Sequence, residues 1–131
     1  MPKKLPELSR TEWNIMNICW KKGQASARVI FEETLREKKR SYQTVKTMLD
    51  RLVEKAYLSR EKFGPIWLYR PSVARSSIIA REIENFVGTV LDHTLAPIFV
   101  HFAKKETLSD DELNELRRLI EEKREDRDDA V

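Results

Sequence analysis

Cysteine, glycine and long apolar runs are all scarce in this chain of 131 residues. The single cysteine, Cys19, excludes an intramolecular disulfide and a cysteine-rich metal site. Three glycines are too few for a glycine-rich phosphate loop, which excludes a dinucleotide-binding or Walker-type fold. No apolar run reaches the ~18 residues of a membrane span, and the start of the chain lacks the apolar core of a signal peptide. We therefore expect a soluble, cytoplasmic protein with no direct membrane insertion.

No pattern in the sequence indicates catalysis or a bound cofactor. His93 and His101 flank Pro97, and neither a cysteine nor an H-E-x-x-H pattern accompanies them. The acidic pairs Asp110-Asp111 and Glu121-Glu122 are explained by the helix dipole and by solvation of a charged helix. The sequence thus predicts no enzyme, no cofactor and no metal site.

Charges of opposite sign are concentrated in different parts of the chain. Residues 1–81 contain 18 Lys and Arg against 8 Asp and Glu, whereas residues 82–131 contain 7 against 14. The net charge of +3 therefore conceals a basic first part and an acidic second part. A basic part of this kind favours a polyanionic partner.

Three short helices are predicted in the basic part, over residues 10–22, 27–38 and 42–55. A serine precedes each helix and can cap its first turn. Ser9 also has Glu12 at the spacing of a capping box, and Gly23 is expected to end the first helix. An apolar face at helical spacing is expected on the third helix from Val45, Leu49 and Leu52.

A β-hairpin is predicted to follow the helices. Residues 57–60 and 66–70 are rich in aromatic and β-branched side chains, and residues 63–65 form the turn between them. Pro71 closes the second strand because proline cannot donate to the strand ladder. A single hairpin is not stable alone in water, so it must pack on the helices. The pattern predicts a mainly α protein with a winged helix-turn-helix domain over residues 1–71.

Residues 72–131 are predicted to form a helical dimerisation domain with a charged tail that frays after Arg124. Apolar residues recur at helical spacing but are too few to build a core, and a second copy of the same segment is the most economical partner. Pro97 is expected to break or kink the first helix, and Ser109 to cap the last. The candidate dimerisation residues are Ile79, Ile83, Phe86, Val90, Leu95, Phe99, Leu113, Leu116 and Ile120.

A DNA-binding surface is predicted on the third helix and the hairpin. Gln43, Thr44 and Thr47 suit contacts with base edges, and the cations around them suit contacts with phosphates or the minor groove. The alternative for Thr44 and Thr47 is an ordinary exposed helix face, against which the surrounding positive charge argues. Residues 38–40 add a basic connector. The candidate DNA-binding residues are Arg28, Ser41, Gln43, Thr44, Lys46, Thr47, Arg51, Arg60 and Lys62.

Three segments occur in a distinctive order along the chain, namely LSRTEWNIMNICW, SYQTVKTMLDRLVEKAYL and FVHFAKKETLSDDELNELRRLI. Together, over about residues 8–122, they resemble the penicillinase repressor family, the BlaI/MecI group of bacterial transcriptional repressors. The resemblance implies a homodimer with winged-helix heads and interlocked C-terminal helices. It also implies binding to dyad-symmetric operator DNA in promoters of β-lactam-resistance genes.

The resemblance further implies how repression ends. Members of the family are inactivated by proteolysis, triggered by a membrane-bound sensor of β-lactams, and the cut precedes a phenylalanine in the dimer helices. The matching bond here joins His101 to Phe102, although the family has asparagine where this chain has His101. Two alternatives stay open. One is a repressor of the same superfamily that responds to copper or another signal, although the chain has no cysteine after Cys19. The other is a winged-helix module that binds protein.

Overall fold

Nine elements of regular structure lie within residues 5–105 and 107–129, the part of the chain that this computed structural model describes. The three helices followed by a hairpin agree with the predicted winged helix-turn-helix. The elements are α1 (Arg10–Lys22), β1 (Ala25–Ser26), α2 (Ala27–Thr34), α3 (Tyr42–Glu54), β2 (Leu58–Phe63), β3 (Ile66–Pro71), α4 (Arg75–Thr89), α5 (Ala96–Lys104) and α6 (Asp110–Asp129).

Serine side chains cap the first three helices. Ser9 Oγ accepts a hydrogen bond from the Glu12 N–H at 3.2 Å, and Glu12 Oε1 accepts one from the Ser9 N–H at 2.8 Å, which confirms the capping box. Ser26 Oγ and Ser41 Oγ each accept from the backbone N–H three residues further on. Gly23 ends α1 at a φ of 80°, which glycine adopts at little cost.

The hairpin belongs to a three-stranded antiparallel sheet in the order β1-β3-β2. Arg60 pairs with Tyr69 and Lys62 pairs with Trp67, so these four side chains share one face of the hairpin. The sequence does not predict β1, because two residues are too few to show an alternating pattern. β1 joins the sheet by pairing Ala25 with Tyr69.

One apolar core joins α1, α2, α3 and the sheet to the start of α4. Val45, Leu49 and Leu52 are fully buried, as their spacing on α3 predicts. Burial of each such side chain stabilises the fold by about 1.5–3 kcal/mol. The buried apolar residues are Ile15, Met16, Cys19, Ala25, Ala27, Ile30, Val45, Leu49, Leu52, Tyr57, Leu58, Tyr69 and Ile78.

Helix ends differ from the prediction at three places. α2 ends at Thr34 rather than at residue 38, because residues 36–40 are all charged and offer the core no apolar side chain. α4 ends at Thr89, and Pro97 lies in the first turn of α5, where its missing N–H has no helical partner to lose. The helical break therefore precedes Pro97 rather than occurring at it. α6 continues to Asp129, through the tail that the sequence predicts to fray.

The chain divides into two compact units between Arg81 and Glu82, where its net charge also changes sign. Arg81 belongs to the first unit, since its guanidinium donates to the Leu5 carbonyl at 3.0 Å and to Tyr57 Oη at 2.7 Å. In the second unit, none of the described residues from 82 to 129 is buried. The functional boundary after Pro71 stays a prediction.

Candidate nucleic-acid interface

The exposed side of α3 lines an open cavity of about 610 Å³. We name the residues that line this cavity the recognition surface. Lys38 and Arg40 of the connector lie on it, as do the capping residue Ser9 and two residues without a predicted role, Thr11 and Met48. Short polar side chains and cations therefore share one surface, as contacts with base edges and phosphates require. The predicted DNA-binding residues on this surface are Gln43, Thr44, Thr47 and Arg51.

Ser41 has a structural role at the start of α3. Its Oγ accepts a hydrogen bond from the Thr44 N–H at 3.1 Å and shares a second, of 2.8 Å, with Thr44 Oγ1. The Thr44 hydroxyl is therefore engaged with the cap. Ser41 thus fixes the N-terminus of the helix that carries the candidate base contacts.

Asp50 connects α3 to the hairpin. Its Oδ1 accepts hydrogen bonds from Lys46 Nζ at 3.1 Å, from Tyr69 Oη at 2.8 Å and from Arg60 Nη1 at 3.2 Å. Lys46 Nζ also donates to Tyr69 Oη at 2.6 Å. Together these four residues form the Asp50 cluster. Two of the predicted phosphate contacts, Lys46 and Arg60, are thus held by a carboxylate of the protein itself.

The cluster favours the charged forms of Lys46 and Asp50 and the neutral form of Tyr69. The hydrogen bond with Tyr69 raises the pKa of Lys46, and Asp50 adds to this against the opposing effect of burial. Burial acts to raise the pKa of Asp50, but the hydrogen bonds from Tyr69 and Lys46 outweigh it and lower that pKa. Burial is also the main reason that the pKa of Tyr69 is raised. Lys46 is therefore a cation and Asp50 an anion when DNA approaches.

Arg28 lies beside a second cavity, of about 250 Å³, lined by the hairpin and by the starts of α2 and α3. Its guanidinium carbon lies 4.6 Å from the ring centroid of Tyr42 and 5.5 Å from that of Phe31, which are cation–π distances. Lys46 lines the same cavity. Two predicted phosphate contacts thus face one cavity, although Lys46 is also engaged with Asp50.

The hairpin holds its predicted cations against one aromatic ring. Arg60 Cζ lies 5.0 Å and Lys62 Nζ 5.8 Å from the ring centroid of Trp67. At the turn, Phe63 and Ile66 are 72% and 51% exposed. The hairpin therefore has two cations stacked on an aromatic ring and an apolar tip beyond them. This combination is suited to contacts with the DNA backbone or minor groove.

Sequence reasoning missed Asp50, Tyr69 and Trp67, which hold the candidate DNA-binding cations Lys46, Arg60 and Lys62. Asp50 follows Lys46 at the spacing of a helical ion pair, so this signal is available in the sequence. The contacts of Asp50 with the hairpin have no such signal, because Tyr69 and Arg60 meet α3 only in the folded chain.

The candidate dimerisation residues expose apolar surface. Their exposure reaches 64% at Val90 and is 38% at Leu116, whereas Ile79 is half-buried. Such a surface is unusual for a protein that stays monomeric. The other exposed members are Ile83, Phe86, Leu95, Phe99, Leu113 and Ile120.

The bond expected to be cleaved lies inside α5. The rings of His101 and Phe102 meet edge to face, with centroids 5.2 Å apart, and Phe102 is 40% exposed. Both residues line an apolar cavity of about 370 Å³ together with Phe86 and Pro97. The structure thus places the candidate bond in a short helix on the surface of the second unit.

Other kinds of site are not evident in the described part of the chain. Within residues 5–105 and 107–129, no group of three or more His, Cys, Asp or Glu side chains is placed to hold a metal ion. None of the helices described is both long and apolar enough to cross a bilayer. Cys19 is buried in the core, which raises the pKa of its thiol to about 12.

A three-helix head with a hairpin wing and a polar, basic face on its third helix defines a winged-helix DNA-binding protein. The family model named Penicillinase repressor matches residues 8–122, and the chain belongs to that family. It is 37% identical over 123 residues to the methicillin resistance regulatory protein MecI of Staphylococcus aureus strain N315, covering 94% of this chain and 100% of MecI. It is 30% identical over 120 residues to the penicillinase repressor of Bacillus licheniformis, covering 92% and 94%. The prediction of a repressor rather than an enzyme is confirmed by this membership.

Two solved structures of relatives resemble the first part of the chain. The DNA-binding domain of the repressor BlaI matches with a TM-score of 0.52 and 31% identity, over 57% of this chain and 92% of that domain. Monomeric Bacillus licheniformis BlaI in complex with the blaP half-operator matches with a TM-score of 0.50, the same identity and the same coverage, 57% and 92%. The predicted winged-helix fold is confirmed by both.

Proposed function

We propose that this chain is a cytoplasmic homodimeric repressor that binds a dyad-symmetric operator in double-stranded DNA at promoters of β-lactam-resistance genes. The recognition surface carries the proposal. Gln43 and Thr47 are exposed beside Arg51 on the third helix of a basic winged-helix unit. The BlaI relative, in complex with the blaP half-operator, supports DNA of this kind as the ligand.

Dimerisation is assigned to residues 72–131, and DNA binding to residues 1–71. The second unit has apolar helix faces, and none of its described residues is buried. The same apolar faces of a second copy can pack against them and remove both from water. Two heads related by a dyad would contact half-sites about one helical turn apart, or a near multiple of it. Because the heads are linked, the second contact is intramolecular and the dimer binds far more tightly than one head.

Repression would end by proteolysis of the bond between His101 and Phe102, triggered by a membrane-bound sensor protease. α5 has nine residues, none of them buried, so opening its backbone to a protease costs little free energy. The cut would separate α6, with Leu113 and Leu116, from the helices upstream. Dimer affinity would fall, and each remaining head would bind DNA weakly.

Footprinting of the purified full-length chain on its own promoter region tests this function. We expect two protected half-sites of similar sequence, related by a dyad. Binding to random DNA of the same length should be weaker by about 10³-fold or more. Equal affinity for the promoter fragment and for random DNA would contradict an operator-specific repressor.

A further inference from the structure

An acidic residue lies among the candidate DNA-binding residues of α3. Asp50 is on α3, one turn beyond Lys46, and its carboxylate is 39% exposed. A phosphate that approaches this part of α3 meets a negative charge. Unless it serves another purpose, such a residue lowers affinity for every DNA sequence.

Stability gained from its ion pairs is a weak reason for this carboxylate. The ion pairs of Asp50 involve side chains that are 27% and 42% exposed, at Lys46 and Arg60, and partly exposed pairs contribute little to stability because water and salt screen them. The distinctive property of Asp50 is that it holds both cations at once. Each cation also lies over an aromatic ring of the hairpin, Lys46 over Tyr69 and Arg60 over Trp67.

We propose that Asp50 is a specificity-determining residue, which competes with DNA phosphates for Lys46 and Arg60. The inference rests on the proposed DNA-binding function. On random DNA, where phosphate contacts supply nearly all of the affinity, the two cations share the negative charge of Asp50, so each binds phosphate more weakly than a free cation would. On the operator, base contacts from α3 hold the head in one register, in which Lys46 and Arg60 stay paired with Asp50 and supply little of the affinity. The carboxylate therefore weakens random binding more than operator binding, which is discrimination by a repulsive element.

Asp50→Asn tests the competition, because asparagine has nearly the same shape and can still accept the hydrogen bond from Tyr69. We expect affinity for a random-sequence duplex to rise about eightfold at 0.1 M salt for each cation that gains a phosphate contact. The dependence of log K on log salt should steepen by about 0.9 per cation. Affinity for the operator should rise less, so that the ratio of operator to random affinity falls.

Glu54→Gln is the matched control, since it removes the same charge from an exposed site one turn further along α3. An equal gain in random binding for Glu54→Gln and Asp50→Asn would overturn the proposal, because net charge alone would then explain both. So would an unchanged ratio of operator to random affinity in Asp50→Asn. Thermal unfolding checks that each variant is folded.

Lys46→Gln keeps the proposal testable even if Asp50→Asn does not fold. In the wild-type background we expect this change to leave the salt slope on random DNA nearly unaltered, because Lys46 is already paired. In the Asp50→Asn background the same change should flatten the slope by about 0.9. If Lys46→Gln flattens the slope by about 0.9 in the wild-type background as well, Asp50 does not compete with phosphate for Lys46 and the proposal is wrong. If the wild-type protein binds random DNA but protects no half-sites, the operator function fails while the effect on random binding can still be measured.

Discussion

Lys55 Nζ lies 2.8 Å from each carboxylate oxygen of Glu12, although the two residues are 43 positions apart in the chain. Glu12 also belongs to the capping box at the start of α1, and Lys55 is the C-cap of α3. One buried carboxylate therefore joins the start of α1 to the end of α3. Removal of Glu12 would leave the ammonium of Lys55 without this partner.

The Glu12 ion pair predicts how stability depends on pH. Burial acts to raise the pKa of Glu12, but the hydrogen bonds from Lys55 and Ser9 outweigh it, so the folded pKa lies below the ordinary value of 4.5. The stabilisation is therefore complete above pH 4.5 and is lost as the pH falls through the folded pKa. Glu12→Gln should lower the free energy of unfolding at neutral pH by about 1–3 kcal/mol and flatten its decline in acid.

Urea unfolding at neutral and acid pH measures both effects on Glu12→Gln. Glu32→Gln is the control, because Glu32 is an exposed carboxylate on α2. We expect the control to keep the pH dependence of the wild-type protein. Parallel curves for wild type and Glu12→Gln would show that the ion pair does not stabilise the fold in this way.

Base and phosphate contacts should respond differently to substitution. Thr47→Ala and Gln43→Ala should each weaken operator binding by about 1–3 kcal/mol and leave random binding nearly unchanged. Lys62→Ala should weaken both alike and flatten the salt dependence by about one unit of slope. Fluorescence anisotropy with operator and random duplexes at two salt concentrations separates the two classes. Equal losses on both duplexes would remove Thr47 from the base contacts.

Two substitutions at Ser41 separate its role as a helix cap from its predicted role in DNA binding. Ser41→Ala should lower the free energy of unfolding by about 1 kcal/mol, because the Thr44 N–H loses its acceptor. Ser41→Asp keeps a capping oxygen and suits the helix dipole, so the fold should remain as stable as wild type. It also adds a negative charge where phosphates approach, and DNA affinity should fall. Undiminished DNA binding by Ser41→Asp would place Ser41 outside the interface.

The dimer should depend on the apolar faces of the second unit. The paired change Phe86→Glu with Val90→Glu puts two charges on an exposed apolar stripe, where the partner would have to desolvate them. We expect sedimentation equilibrium to show monomers, with a matching loss of operator affinity. Glu84→Gln, on α4 with Phe86, should stay dimeric. A compact wild-type monomer at micromolar concentration, or a dimer that survives the paired change, would exclude this interface.

Derepression should produce one defined cut. In cells that carry the cognate sensor, addition of the inducer should yield fragments that end at His101 and begin at Phe102, as mass spectrometry would show. Phe102→Gly should slow the cut, whereas Val100→Ala, at another exposed position of α5, should not. Full-length repressor throughout derepression, or a cut elsewhere, would reject this bond as the site.

Local patterns predict much of the winged-helix unit and part of its interface. The serine caps, the glycine stop at Gly23 and the buried face of α3 depend on residues a few positions apart, and all of them are present in the structure. Pro97 shows the limit of such rules. Proline is compatible with the first turn of a helix as well as with a break, and only the chain around it decides which of the two occurs.

The sequence by itself determined the three helices and the hairpin of the winged-helix unit, the division of charge and the family of the protein. These properties follow from periodic burial, local hydrogen bonds and composition, which act between residues that are close in the chain. Only the tertiary structure decided that Asp50 holds Arg60 and Tyr69, or that Lys55 meets Glu12. A carboxylate can accept from any donor that folding brings near it, so its partners are determined by how helices and strands pack.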